Sequence, residues 1–96
     1  MQVIIAGAGK VGYNIAKHLM HNNSVTIIDQ NEYAIQNIHE NLDVLGICGN
    51  IENPHTYLGI NPQIDLFIAV TDSDEVNLLS SLIIDNIATV KRKIIR

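Results

Sequence analysis

The chain has 96 residues, 47% of them hydrophobic and 17% charged, with one cysteine and no tryptophan. That length supports one domain with one core, and the even spread of valine, isoleucine and leucine excludes a disordered chain. Up to residue 90, ten acidic groups face two lysines, a balance of −8 that argues against a nucleic-acid ligand, since phosphate backbones need a broad basic face.

The other four cations sit together in the final "KRKIIR". Such a cluster suits an edge strand guarded against sheet-to-sheet aggregation; a phosphate ligand, an acidic partner and anionic lipid are the alternatives. No apolar run approaches the roughly 20 residues that span a bilayer, no secretory signal opens the chain, and Cys48 has no partner for an internal disulfide. Together these features predict a soluble intracellular protein.

Gln2 to Ala6, "QVIIA", is apolar and β-branched and predicts a short buried strand. After a glycine-rich turn, Val11, Ile15, Ala16, Leu19 and Met20 recur at helical spacing, which predicts a helix from Val11 to about His21 with one apolar face. "HNNS" breaks it, and "SVTIID" predicts a second strand ending on Asp29. In "QNEYAIQNIHENL", Ala34, Ile35, Ile38 and Leu42 share one helical stripe. "DVLGICGN" predicts a third strand entering a Gly49-Asn50 turn. "NPHTYLGI" predicts a brief helical turn with Pro54 near its start, where a missing N–H costs nothing. "DLFIAVT" is a fourth strand, "DSDEVNLLSSLIIDNIA" another helix, and "VKRKIIR" the start of a fifth strand.

Strand followed by helix, four times over, predicts an α/β fold: a Rossmann-like, doubly wound parallel sheet of order 3-2-1-4-5. Its ligand crevice would lie at the carboxyl ends of strands 1, 2 and 4. The chain stops in or just after its fifth strand, so residues 1–96 are expected to form a single nucleotide-binding domain, incomplete at its C-terminal end.

"GAGKVG" sets Gly7, Gly9 and Gly12 in a G-x-G-x-x-G pattern between a strand and an amphipathic helix. Gly7 permits the tight turn, Gly9 a close approach of pyrophosphate, and Gly12 close packing of helix on sheet. The helix N-terminus supplies unpaired N–H groups and a partial positive charge. Asp29 falls 20 residues beyond Gly9, where an acid accepts hydrogen bonds from a ribose and repels a 2′-phosphate. The bland alternative is a plain turn, with Asp29 capping the next helix.

Three further spots border the same crevice: Gly49-Asn50 on the adenine side, Val70-Thr71-Asp72 after strand 4, and Asn77 one turn into the following helix. Gly49-Asn50 is also an ordinary turn pair. Asp72 with Glu75 three residues later matches a capping box, which is favoured over a metal site for the acids of "DSDE".

Taken together, "VIIAGAGKVGYNIAKHL", "VTIIDQN", "GN" before "IENPHTYLGI" and "DLFIAVTDSDEVNLLSSLI" resemble the KTN/RCK domain along the whole chain. This is the N-terminal regulatory nucleotide-binding module of the Trk-type potassium uptake system and of related potassium channels. The last block is the most discriminating, because generic dehydrogenases share the glycine loop but rarely follow strand 4 with T-D-S-D-E-x-N. The resemblance implies a cytoplasmic domain that binds NAD(H), or ATP or ADP instead, and controls a membrane potassium transporter or channel subunit at the inner face of the membrane. By position it implies Gly7, Ala8, Gly9, Lys10, Val11 and Gly12 at the phosphates, and Asp29 with Gln30 at the ribose. Asn50 and Ile51 would lie on the adenine side, Thr71 and Asp72 at the strand-4 edge, and Arg96 toward ligand phosphates. Asn50 departs from the family, which usually has aspartate there.

Catalysis finds no convincing acid or base. Tyr13 and Lys17 form Tyr-x-x-x-Lys, but on the first helix beside the phosphate loop. His18 and His21 are spaced to grip a metal, yet nothing nearby completes a site, and His39 and His55 join them as surface residues. Cys48 lacks a base partner, and Ser80 and Ser81 sit mid-helix. A sensor is therefore expected ahead of a cofactor-binding fragment of an NAD-dependent oxidoreductase. Leu78, Leu79, Leu82, Ile83 and Ile84 exceed what one helix face needs, which suits a homodimer or higher oligomer.

Overall fold

β1 (Gln2–Ala6), β2 (Ser24–Asp29), β3 (Leu45–Cys48), β4 (Gln63–Ala69) and β5 (Thr89–Ile95) form one sheet in the order β3-β2-β1-β4-β5. All four pairings are parallel, with Val3 opposite both Val25 and Leu66, and Asp29 opposite Cys48. Three α-helices join them: α1 (Lys10–Leu19), α2 (Glu32–Asn41) and α3 (Asp74–Ile87). A 3-10 turn over Pro54–Tyr57 stands in the β3–β4 connection. This computed structural model describes residues 1–96. The α/β architecture and strand order are those expected from the alternation of elements. No helix is long and apolar enough to cross a membrane.

Side chains alternate across a strand, so β1 feeds two cores. Val3 and Ile5 join Val25, Ile27, Ala16, Ile35 and Ile38 under α1 and α2. Ile4 and Ala6 join Ile28, Phe67, Ala69, Tyr57 and Ile84 beneath α3 and the 3-10 turn. Both faces of the central strands are therefore covered, which explains why β1 reads as an unbroken apolar run. β5 closes one edge with its basic residues exposed: Lys91 pairs with Asp65 at 3.2 Å, and Lys93 with Asp85. Asp65 also accepts the Gln2 N–H at 2.7 Å, tying β1, β4 and β5 together at the end of the sheet opposite the crevice.

Three expectations shift. α1 begins at Lys10 and ends at Leu19, so His21 lies outside it, and Val11 is 42% exposed rather than inward-facing. The helix rests on Gly12 and Ala16 instead, which rotates Val11 outward. Asp72 does not cap α3; Ser73 does, its Oγ accepting the Val76 N–H at 3.1 Å, so the Asp72–Glu75 capping box is overturned. Asp29 likewise does not cap α2. Asn31 does, through Oδ1 to the Tyr33 and Ala34 N–H groups.

Candidate functional site

β1 ends at Ala6, and the chain must reverse within three residues to begin α1. Gly7 makes the reversal at φ +114°, the left-handed region that a side chain resists. Gly12 then sits against that turn: a Cβ there would fall 1.9 Å from the Gly7 carbonyl oxygen. The two glycines thus hold the first turn of α1 directly over the end of β1. Gly9 stands at the N-cap and offers no side-chain hydrogen bond, and the first turn carries no acid. The N–H groups of Lys10, Val11 and Gly12 precede the first intrahelical bond, which Tyr13 N–H makes to the Gly9 carbonyl.

Asp29, at the carboxyl end of β2, is held from three sides. Its Oδ2 accepts the Ala8 N–H at 2.8 Å, its Oδ1 the Asn31 N–H at 2.8 Å, and its main-chain carbonyl the Gly49 N–H at 3.0 Å. The carboxylate therefore stands fixed between the glycine loop and the start of α2. A carboxylate has about four acceptor positions, so two remain open toward the cleft.

The cleft itself has a volume of about 440 Å³ and opens at the carboxyl ends of the strands, where the sheet order reverses between β1 and β4. Of the residues singled out in the sequence, Gly7, Gly9, Asp29, Gln30, Asn50, Ile51, Val70, Thr71 and Asp72 line it. The others stand off it. Ala8 turns its side chain into the core and gives its N–H to Asp29. Gly12 is buried beneath the loop, Lys10 and Val11 stand at the exposed start of α1, and Arg96 is exposed after β5. Ile51 contributes to the cleft from a side chain that is mostly buried in the core under α3.

Asn77 does not reach the cleft. It is fully buried and closes the turn after β4: its Oδ1 accepts the Thr71 N–H at 2.9 Å and the Thr71 hydroxyl at 2.6 Å. Its Nδ2 donates to the Thr71 and Arg96 carbonyls at 3.2 and 3.3 Å. All four of its hydrogen-bonding positions are spent inside the protein.

Sequence reasoning missed Asn31, Ala34, Glu52, Ser73 and Val76, which also line the cleft. Asn31, Glu52 and Ser73 stand in the loops after strand exits, and Ala34 and Val76 in the first turns of α2 and α3, so their place in the cleft depends on how those loops and helix starts are set. None of the four histidines lines the cleft: His18 meets the Asn14 carbonyl, and His39 lies against Gly46 at the edge of β3. Cys48 is exposed, its Sγ near the Gln30 carbonyl at 3.5 Å. Burial raises the Tyr57 hydroxyl above the ordinary tyrosine pKa, and that hydroxyl donates to the Ile51 carbonyl, anchoring the β3 exit.

A family model described as the TrkA-N domain matches residues 3–96. The chain belongs to the TrkA-N family. Relatives agree with that placement. The domain is 45% identical over 82 residues to Trk system potassium uptake protein trkA homolog 1 of Methanosarcina mazei, covering 85% of this chain and 20% of that one. It is 43% identical over 83 residues to the TrkA homolog of Archaeoglobus fulgidus, covering 85% and 19%. With TrkA of Azorhizobium caulinodans the identity is 38% over 99 residues, covering 100% of this chain and 21% of the relative. The TrkA-N chain thus spans about a fifth of the length of these relatives.

Proposed function

We propose that residues 1–96 act as one regulatory unit that binds NAD(H), with ATP or ADP as the alternative, and passes its occupancy to a membrane potassium transporter or channel subunit. One observation carries the reading. Side chains cap α2 and α3, through Asn31 and Ser73, while α1 alone among the α-helices begins without a side-chain cap, at the mouth of the cleft. A helix start left open to a cavity favours phosphate oxygens, which complete its N–H groups and meet its dipole.

In this reading the phosphates meet the loop Gly7 to Gly12, with Lys10 as the nearby cation. The ribose hydroxyls donate to the open positions of Asp29 beside Gln30. The base lies toward Asn50 and Ile51, and Thr71 and Asp72 border the second half of a dinucleotide. Arg96, beyond β5, would have to turn toward the cleft to meet phosphate. The oxidoreductase alternative is not favoured, because the relatives bear names of potassium uptake proteins. A cytoplasmic position beside the membrane partner belongs to the same proposal.

A ligand shifts an equilibrium only by its differential affinity, so a second arrangement of the domain or its neighbours is required. Leu78, Leu79 and Leu82, which are 56, 38 and 52% exposed on α3, support self-association as the element that rearranges.

Titration calorimetry with NADH, NAD, ATP, ADP and NADPH tests the reading. Submillimolar binding without turnover is expected, with NADPH the weakest of the dinucleotides. Asp29→Asn keeps one oxygen for the loop and loses the charge. It should weaken NADH by about 1–2 kcal/mol and narrow the gap to NADPH. Unchanged affinity would place the ribose elsewhere.

A further inference from the structure

We propose that the His39 imidazole closes the outer edge of β3 against strand pairing with a second copy of this chain. The two edges of the sheet differ in charge. β5 carries Lys91, Arg92 and Lys93, whereas β3 is Leu45, Gly46, Ile47 and Cys48 and carries none. Pairing of β5 with itself across a two-fold axis would bring like charges together, which disfavours it. No charge protects β3, and its Leu45 is 59% exposed.

Successive residues of a strand aim their N–H and C=O groups at opposite edges. Just past β3 the Gly49 N–H turns to the Asp29 carbonyl of β2, so Gly46, three residues earlier, turns away from β2. Both of its outward groups meet His39 of α2. The Gly46 N–H donates to Nε2 at 3.1 Å, and the Gly46 carbonyl oxygen lies 3.1 Å from the same nitrogen. With a lone pair Nε2 accepts the N–H; with a hydrogen it donates to the carbonyl. The ring therefore engages the edge in either tautomer. A neighbouring strand needs the same two groups, so strand pairing at Gly46 and the His39 contact exclude each other.

The glycine makes the fit. A Cβ on Gly46 would fall 2.7 Å from Nε2 and 3.1 Å from Cδ2, so a side chain there would push the ring off the strand. Glycine weakens a strand in itself; at this edge it admits the imidazole. A second copy is the occupant that the uncovered edge fits, because an isologous contact needs only a strand that tolerates itself. β3 is neutral, and Leu45 adds apolar contact.

Two substitutions open the edge by different routes. His39→Ala deletes the ring, and Gly46→Ala keeps the ring but displaces it. Sedimentation velocity of each variant and the wild type, over one concentration series, reads the result. Association through α3 is common to all three chains, so any difference belongs to β3. Each variant is expected to associate about tenfold more tightly than the wild type, because the N–H and C=O of Gly46 become available to a partner strand. In His39→Ala the Gly46 amide should exchange its hydrogen faster than in the wild type at low concentration, and more slowly as association sets in. Adding Leu45→Lys places a charge on the edge and should return both variants to wild-type sedimentation. Wild-type sedimentation of both opened chains, or an added association that survives Leu45→Lys, overturns the inference. Neither result depends on whether a nucleotide binds.

Discussion

The turns into α1 and α3 leave neighbouring strands of the sheet and both border the cleft, yet they solve the same problem in opposite ways. The turn after β4 is closed: Thr71, Ser73 and Asn77 satisfy its backbone groups, and Ser73 caps the helix. The turn after β1 is open. Glycines build it, one N–H goes to Asp29, and the start of α1 has no side chain to satisfy it. A protein that can close a helix start with ordinary serine and asparagine has left one unclosed where the cavity is. That contrast is what the proposed binding of a nucleotide rests on.

Gly12→Ala should break the open turn most severely. Its Cβ would meet the Gly7 carbonyl oxygen at 1.9 Å, and backbone on both sides leaves nothing cheap to move. A loss of about 3 kcal/mol or more is expected in urea unfolding, with nucleotide binding lost as well. Asn77→Ala breaks the closed turn. It strands the Thr71 N–H and the Arg96 carbonyl, and should cost about 2–3 kcal/mol while leaving the glycine loop intact. Residual nucleotide affinity in that variant would confirm that the two turns act independently.

Gly9→Ala sharpens the contrast from the other side. No protein atom lies within 4 Å of the added Cβ, and the residue has φ −72°, so stability should change by less than about 0.5 kcal/mol. Ligand phosphates would meet that methyl group, so nucleotide affinity should fall about tenfold. Equal affinity in wild type and variant would mean that phosphate does not approach Gly9.

The smallest effect lies at the far end of the sheet, at Asp65. The Gln2 N–H and then Lys91 hold its pKa below the ordinary aspartate value. Its contribution is therefore present above about pH 4 and is lost as pH falls through the lower folded value. Asp65→Asn should lower stability slightly at neutral pH, leave it nearly unchanged once the carboxylate is protonated, and so flatten the acid limb of the stability–pH curve. An acid limb of undiminished slope would assign it to other carboxylates.

Much of this was legible in the chain, and the failures cluster. All five strands appear in order, because β-branched runs bounded by turn residues are a local signal. The glycine loop was legible for the same reason: Gly7 needs its φ whatever lies around it. The cap of α3 was misassigned because Asp72 and Ser73 are adjacent and both suit the role. Only the Thr71–Asn77 network decides which of them stands at the N-cap. Glu52 was missed because its place in the cleft depends on the Asx turn made by Asn50, not on any periodicity.

By itself the amino-acid order determined the succession of elements, the sheet that they can build, and the positions of the glycine turn and its distant acid. Periodicity and backbone freedom belong to neighbouring residues and survive in a linear string. Only the tertiary structure decided which polar groups remain unspent. Ala8 N–H is consumed by a carboxylate 21 residues away, and Asn77 by a carbonyl 19 residues away, whereas the first N–H groups of α1 are left over. Donors and acceptors are matched across space, so what is free to hold a ligand becomes visible only once the chain has folded.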